Sequence, residues 1–464
     1  MPIPAPVSDR ILAECFGRPQ AHAELGRLCD TVGGRLAGTA SGAAGEAWGF
    51  ELFERWGLEA VRYEPFPVMA WERGALMAGV TAPTPWTLIA MAHGSSPRSS
   101  DVEGPVVDAL HGEPETLDAL GAAVAGAIVL CDEGASAGQR VRHRSEKMAD
   151  AAARGAAGLM ILSSADGGLP RTGTCADDEA PIPSLGISSE DGTRLRRLLA
   201  GGTRPIVRIR MTNAIFPSEA RNVLAELPGR ERPDEVVLAG GHIDSWDVAT
   251  GATDNGLGAA IVLEMARVLA ATGERPRRTL RFALWGAEEI GLLGSQHYLR
   301  AHADELSDHA AVMNFDMTGD PEGFWTPGHA EQPALLRDLA ARLASLGLRP
   351  EAHRSDASLH SDHQPFMLAG VPVVGLVAPA STAGRRFYHS VGDTFEKVAL
   401  PPMCRAVAAA AHAMWAIAEL DERVLPHLER AAVRAMLEAA DLLEASGFEA
   451  AQPALQPAAV NPSR

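Results

Sequence analysis

The stretch Val236-Val237-Leu238-Ala239-Gly240-Gly241-His242-Ile243-Asp244-Ser245-Trp246-Asp247 carries an apolar run straight into a segment of ionisable side chains. Residues 236–240 read as a buried strand. His242 and Asp244 follow at alternate positions, and in extended backbone alternate side chains share a face. In an open α/β sheet, ligands bind in the crevice outside the carboxyl ends of the strands. The pair therefore stands where that architecture does chemistry, and one member can bind a metal while the other orients it. His-x-Asp is a common pattern, and alone it does not define a site.

Outward from this stretch, strands and helices alternate. Residues 223–227, 236–240, 279–285, 311–315 and 371–377 read as strands, and 256–271, 291–303, 331–346 and 401–420 as helices. Such alternation predicts a sheet covered by helices on both faces. Upstream, residues 9–16, 21–32 and 40–56 carry apolar side chains at helical spacing. Gly33-Gly34-Arg35-Leu36-Ala37-Gly38-Thr39 forms a loop between the last two. From 66 to 212 the pattern changes to short apolar runs separated by Gly and Pro. There 106–110, 127–131, 158–162 and 206–211 read as strands and 142–154 and 189–199 as helices. No cluster of metal-binding residue types falls in this part, which reads as a separate module inserted into the chain. Residues 422–445 suit an amphipathic helix, and 449–464 suit a disordered tail with Pro and no periodicity.

The whole chain sets bounds on function. Its 464 residues carry a formal net charge of −18, which argues against a nucleic-acid backbone as partner. The longest apolar runs fall short of the roughly 20 residues that cross a bilayer, so no membrane partner is expected. The five cysteines are widely spaced without a CxxC pair, so neither a zinc knuckle nor a redox pair is indicated. MPIPAPVSDRILAEC at the start lacks a basic region followed by an apolar core. The expectation is a chain without a signal peptide, in a reducing cytoplasmic setting.

Four further segments resemble the first in placing ionisable groups at the edge of an element. Thr253-Asp254-Asn255-Gly256-Leu257-Gly258 precedes a helix. By itself it reads as a helix cap, while its glycines also fit a tight turn near a ligand. Trp285-Gly286-Ala287-Glu288-Glu289-Ile290-Gly291 follows a strand. Adjacent carboxylates repel each other, and a cation would give a reason for the pair; plain surface acidity is the alternative. Met313-Asn314-Phe315-Asp316-Met317-Thr318-Gly319 ends another strand, and Phe387-Tyr388-His389-Ser390-Val391-Gly392-Asp393-Thr394 is a glycine-bounded loop. Jointly these give two His, three carboxylates and a spare Glu. Mixed nitrogen and oxygen ligation suits zinc, and open coordination positions suit catalysis.

In the order HID…TDNG…EE…NFDM…YHS the chain resembles the M28 family of dinuclear zinc peptidases. HIDSWDV followed by SDHQPF looks like that family's carboxypeptidase Q (plasma glutamate carboxypeptidase) branch, and GGRLAGT is similar to its opening loop. The resemblance implies an α/β, phosphorylase/hydrolase-like mixed sheet flanked by helices, with an inserted domain like the protease-associated (PA) domain. It divides the chain into a zinc peptidase domain at 1–65 and 213–421, the PA-like insert at 66–212, a helix at 422–448 and the tail at 449–464. It implies two Zn2+, with Asp254 bridging, His242 and Asp316 completing one site, and Glu289 and His389 the other. Glu288 would be the general base and Asp244 would orient His242. Trp246, His363 and Tyr388 are expected at the substrate, although Trp246 reads equally well as a core or surface aromatic. The loop holding His360 and His363 is given a place near the pocket and no metal role. That branch often has Asp-Asp-Gly where Asn255 follows Asp254 here, and it is typically secreted in animals.

The expected activity is hydrolysis of dipeptides or short peptides by a metallo-exopeptidase. Alternatives are an aminopeptidase on longer peptides, a hydrolase of acylated amino acids, and a non-catalytic binding protein on a peptidase fold. A homodimer follows from the resemblance alone.

Overall fold

A computed structural model describes residues 3 to 448. The tail expected at 449–464 lies outside the described residues. Three strands, Arg232–His242, Arg278–Trp285 and His309–Asn314, run parallel in the sheet. Their register pairs Trp285 with His242 and Asn314 with Gly240, so all three end on one edge. His242, the Glu288–Glu289 turn and Asp316 therefore leave the sheet side by side.

Residues 236–241, 282–285 and 310–313 of these strands are apolar and buried because both faces are covered. Helices Ala5–Gly17, Ala21–Thr31, Leu257–Ala271 and Leu400–Glu419 pack together on one face, around Leu25, Val237, Ile261, Phe282, Val407 and Trp415. Leu293–Ala301, His363–Leu368 and Arg430–Ala439 cover the other face around Trp285, Tyr298, Phe366 and Leu437. The Gly240-Gly241 pair has a packing reason: a Cβ at 240 would come within 2.2 Å of the Trp285 indole, and one at 241 within 2.9 Å of the Phe315 carbonyl. Only glycine lets the strand end settle this close to its neighbours.

Two long strands dominate the rest. Glu59–Ala82 and Ile206–Leu227 pair antiparallel along almost their whole length, from Glu59 opposite Glu226 to Ala82 opposite Ile206. One end of Ile206–Leu227 pairs with Arg278–Trp285 and the other with Ser99–Asp108. From there the sheet continues through Ile128–Asp132, Gly158–Leu162, Ser184–Ile187 and Ala90–Ala92, and with the short Trp86–Thr87 beside Glu59–Ala82 it has eleven strands among the described residues. The expected boundaries at 65/66 and 212/213 both fall inside strands that run on through them. Helices Arg144–Ala153 and Ser189–Ala200 cover this second half, with cores around Leu130, Met160 and Leu195 and around Val129, Met148 and Leu159.

Some elements differ from expectation. The strand expected at 371–377 shortens to Gly375–Val377, in a separate three-stranded sheet. The helix expected at 331–346 becomes Ala334–Arg342, starting after Pro333, followed by a short 3-10 turn. Proline suits a helix start and disfavours helical backbone just before it. The helix expected over 422–445 is confined to Arg430–Ala439, on either side of which the side chains are mixed and the chain bends.

Candidate metal centre

His242 ends its strand with 1% of its surface exposed. Its Nδ1 lies 3.0 Å from the backbone oxygen of Asp244, to which it donates. That leaves Nε2 facing carboxylates: Asp254 Oδ1 at 3.3 Å, Asp316 Oδ1 at 3.7 Å and Glu288 Oε2 at 3.8 Å. His389 mirrors it. Its Nε2 lies 3.1 Å from both Asp254 Oδ2 and Glu289 Oε2. The donors form two groups, His242–Asp254–Asp316 and Asp254–Glu289–His389, each with ligand atoms within 4.8 Å of one another. Asp254 belongs to both and turns one oxygen to each.

A buried, paired donor set of this kind fits a metal on its own terms. His242 Nε2, Asp254 Oδ2 and Glu289 Oε1 are buried without a hydrogen-bond partner. Leaving such atoms unpaired costs about 1–3 kcal/mol each, and a cation in each group would satisfy them. Nitrogen and carboxylate oxygen are zinc's ligands.

The local framework explains how Asp254 gets there. Asp254 and Asn255 have non-helical backbone dihedrals, and the residue that opens the helix Leu257–Ala271 is Gly256, so Asp254 is not its cap. The turn is gripped by Asp393, whose carboxylate accepts from the Thr253 amide at 2.8 Å and the Asp254 amide at 3.0 Å. Asn255 donates Nδ2 to the Phe315 carbonyl at 2.8 Å, and its Oδ1 accepts from Gly258 and Met317 amides at 3.0 and 3.2 Å. An ionised Asp could not make that donation. Asn255 thus ties the Asp254 turn to the strand end that carries Asp316.

Asp244 meets both His242 and the turn of the two glutamates. Its main-chain oxygen orients His242, while its carboxylate lies 3.5 Å from that ring. The carboxylate accepts instead from the Glu288 and Glu289 amides, at 3.1 and 3.2 Å. Ala287 just before them has φ +60°. The turn so held sends Glu289 to His389 and Glu288 towards His242.

The insert contributes contacts that no sequence pattern announced. Thr172 and His389 are doubly joined: the Thr172 amide donates to the His389 carbonyl at 2.9 Å, and His389 Nδ1 donates to the Thr172 carbonyl at 3.2 Å. The Thr174 hydroxyl donates to the Glu289 carbonyl at 2.7 Å. Outer partners of metal ligands typically change metal affinity by about 10–100-fold. Thr174→Val should accordingly weaken zinc binding by about tenfold, with the fold intact. Competition against a chromophoric chelator checks this, and unchanged affinity would remove Thr174 from the support of Glu289.

The centre opens onto a cleft of about 940 Å³ lined by Asp254, Glu288, Glu289, Asp316, His389 and Tyr388 among others. His363 also lines it, but its Nε2 is bonded to the Ser358 carbonyl at 3.0 Å and its ring packs on Trp325. Tyr388 stacks on His389 with ring centroids 3.7 Å apart. Trp246, expected at the substrate, instead sits behind the centre. It is 3% exposed, lies edge-on to His389 at 6.1 Å, and packs where a side chain on Gly94 would collide with it. Its position there follows from the apolar cluster of Trp71 and Leu36 that holds it. Asp362, quoted in the sequence only as part of a loop, is buried nearby, and burial together with Asp244 and Asp316 pushes its carboxyl up to about 7.

Charge in the centre is crowded. Burial lifts the Glu288 carboxyl well above its usual range; His242 opposes this, and Asp316, Glu289 and Asp362 add to it. Burial likewise raises Glu289, against the pull of His389. Burial opposes charge on both histidines, yet the carboxylates prevail. Glu288, Asp244, Asp254 and Asp316 hold His242 well above its usual value, and Glu289 with Asp254 raises His389 to about 9. Burial works against ionised Asp254, but His242 and His389 hold it below the ordinary range. The carboxylates are short of positive charge, and the histidines take up protons to provide it.

Comparison with known proteins agrees with this geometry. Residues 222–414 match the model of peptidase family M28, and residues 102–195 match the PA domain. Human carboxypeptidase Q is 30% identical, over 88% of this chain and 87% of its own. The crystal structure of a peptidase M28 precursor from Shewanella amazonensis superposes with a TM-score of 0.81 at 25% identity, covering 91% of this chain and 98% of that one. A zinc aminopeptidase from Bacillus subtilis shares the fold, with a TM-score of 0.65 at 23% identity over 85% of this chain and 94% of that one. With its metal-binding geometry on the strand ends that the family model spans, and a full-length relative at this identity, the chain belongs to peptidase family M28.

Proposed function

We propose that this protein is a zinc-dependent exopeptidase that cleaves dipeptides or short peptides at a dinuclear centre, with Glu288 as general base. The observation that carries the reading is the sharing of Asp254 between two three-residue groups, beside a glutamate that belongs to neither. When bound, zinc supplies Lewis acidity toward the scissile carbonyl and the attacking water. His242 and Asp316 would hold one ion and Glu289 and His389 the other, with the Asp254 carboxylate available to both groups. Glu288, facing the cleft, takes the proton of the attacking water and hands it to the leaving amine. Asp244 keeps the two glutamates apart through their amides. The name of the human relative supports the carboxypeptidase side of the reading. Elemental analysis should find about two zinc ions per chain, as a two-metal clamp requires. Free dipeptides should be cleaved in preference to doubly blocked ones. A protein without zinc, or equal rates on blocked and free substrates, would overturn it.

The charge pattern predicts the behaviour of zinc-free protein. A histidine raised in the fold stabilises it fully below the unfolded value, and the contribution fades as pH rises through the folded value. For His389 that window runs from 6.5 to about 9, worth on the order of 3 kcal/mol. The raised Glu288 and Glu289 act in the same sense, since the fold favours their protonated forms. Zinc-free protein should therefore melt lower at pH 9 than at pH 6.5, and zinc should shrink the difference. Differential scanning calorimetry with and without chelator checks it; a zinc-free melting point that rises with pH would contradict it.

We assign 1–65 and 213–421 to the peptidase module and 66–212 to the PA-like insert, with the long strands as the joint. The five cysteines are buried and unpaired, which supports a reducing, cytoplasmic location. Among the described residues no helix is long and apolar enough to cross a membrane. A homodimer is proposed on the resemblance, and sedimentation velocity tests it.

A further inference from the structure

The stretch that located the metal centre ends in Asp247, which belongs to neither donor group. Its backbone is seated by the glycine loop near the start of the chain. A Cβ on Gly34 would come within 2.7 Å of the Asp247 Cα and within 2.9 Å of the Trp246 and Ala249 carbonyls. From this seat the carboxylate takes both prongs of the Arg73 guanidinium, Nε on Oδ2 and Nη2 on Oδ1, each at 2.9 Å. Such a fork fixes direction as well as distance. A freely exposed pair would be worth little. Here only 17% of the Arg73 side chain is open, and its guanidinium lies over the Trp71 ring, 4.9 Å from the centroid.

Arg73 also grips the insert. Its Nη2 donates to the Thr172 hydroxyl at 3.1 Å and its Nη1 to the Ala92 carbonyl, to which the Thr172 hydroxyl donates in turn at 2.9 Å. Thr172 is buried, and its main-chain amide and carbonyl are the groups that hold His389. A continuous line of hydrogen bonds therefore runs from Asp247 through Arg73 and Thr172 to His389. It reaches one half of the centre. Thr174, two residues on, supports Glu289 in that same half. The other half is held from within the peptidase module. His242 donates to the Asp244 carbonyl, and Asp316 accepts from the Ser361 hydroxyl at 2.8 Å. Asn255 holds the peptide groups on either side of Asp316. The partner of the ring nitrogen turned away from a metal fixes a histidine's tautomer and orientation. For His242 that partner lies two residues along its own segment, and for His389 it lies in the insert.

We infer that Arg73, clasped by Asp247, is a positioning residue for His389, so that the Glu289–His389 half of the centre binds its ion tightly only with the insert seated, while the His242–Asp316 half does not depend on it. This rests on the dinuclear reading. The test is zinc affinity by chelator competition, with each half isolated by His242→Ala or His389→Ala. In the His242→Ala protein, Arg73→Met should weaken the remaining zinc about tenfold or more. In the His389→Ala protein it should leave the remaining zinc within about twofold, the margin of additivity for separate sites. Arg73→Lys, which keeps the charge and loses the fork, should fall between wild type and Arg73→Met. Equal losses in the two backgrounds, or a loss in neither, would overturn the inference. Should Arg73→Met not fold, Asp247→Asn, which alters the peptidase side of the fork alone, carries the same expectation and the same refutation. Hydrogen exchange of zinc-free protein gives a readout without metal. The Thr172 amide, which donates to the His389 carbonyl, should exchange about tenfold faster in Arg73→Met, and unchanged exchange overturns the inference. If wild type binds a single zinc ion or none while this exchange difference holds, the dinuclear reading fails and the clasp on His389 stands.

Discussion

Glu288→Gln should lower kcat by about a thousandfold or more, with zinc content and KM nearly unchanged. The substitution keeps the shape of the side chain and removes its basicity. Glu288 stands apart from both three-residue groups, with Oε2 3.8 Å from His242 Nε2 and its side chain facing the cleft. Its neighbour Glu289 is the one that meets His389. If Glu288 moves the proton, its loss costs about 4 kcal/mol at the transition state, since each tenfold is about 1.36 kcal/mol. General acid–base catalysis spans about 10²–10⁴-fold, so the expected loss sits inside its range. Burial favours a protonated Glu288, and positive charge in the centre must bring it to the ionised form in which it can act. Single-turnover kinetics and elemental analysis read the two halves of the prediction separately. Turnover within tenfold of wild type would take the proton transfer away from Glu288, and loss of zinc would make it a ligand.

The contrast between Glu288 and Glu289 also shows what a sequence can and cannot carry. His242, Glu289 and Asp316 were legible because strand ends on a parallel sheet share an edge, and the register joins them there. Asp254 was ambiguous, since Asp before a helix is also a cap, and only its dihedrals and its two facing histidines exclude that. Glu59–Ala82 was not read as a strand: it carries Pro65, Pro67, Gly74 and Gly79 with charges between them, and only the long partner Ile206–Leu227 makes it one. Thr172 and Thr174 act through main-chain carbonyls of residues more than a hundred positions away. A carbonyl has no residue type, so no motif could have named them. Trp246 sits within the motif that located the centre, yet burial sends it behind the ligands. Proximity in sequence to a ligand does not give access to the cleft.

Asp254→Ala should remove both zinc ions and reduce activity below detection, whereas His389→Ala should empty only the half that contains Glu289. The difference follows from geometry. Asp254 Oδ1 faces His242 at 3.3 Å and Oδ2 faces His389 at 3.1 Å, so the alanine strips a ligand from each group at once. The turn itself should survive. Asp393 grips the amides of Thr253 and Asp254, and Asn255 anchors to Phe315, and none of these bonds uses the Asp254 carboxylate. The variant therefore tests ligation with the backbone in place. Zinc that binds only the folded state stabilises it by about 4 kcal/mol per site at a thousand times its Kd. Losing two such sites removes about 8 kcal/mol, so Asp254→Ala should melt where chelated wild type melts and should not respond to added zinc. His389→Ala should keep about half of the zinc and part of the thermal response. Elemental analysis after gel filtration, with melting curves across a zinc titration, gives both readings. An Asp254→Ala protein that still holds two zinc ions would show that the two groups do not depend on a shared carboxylate, and the dinuclear reading would fall with it.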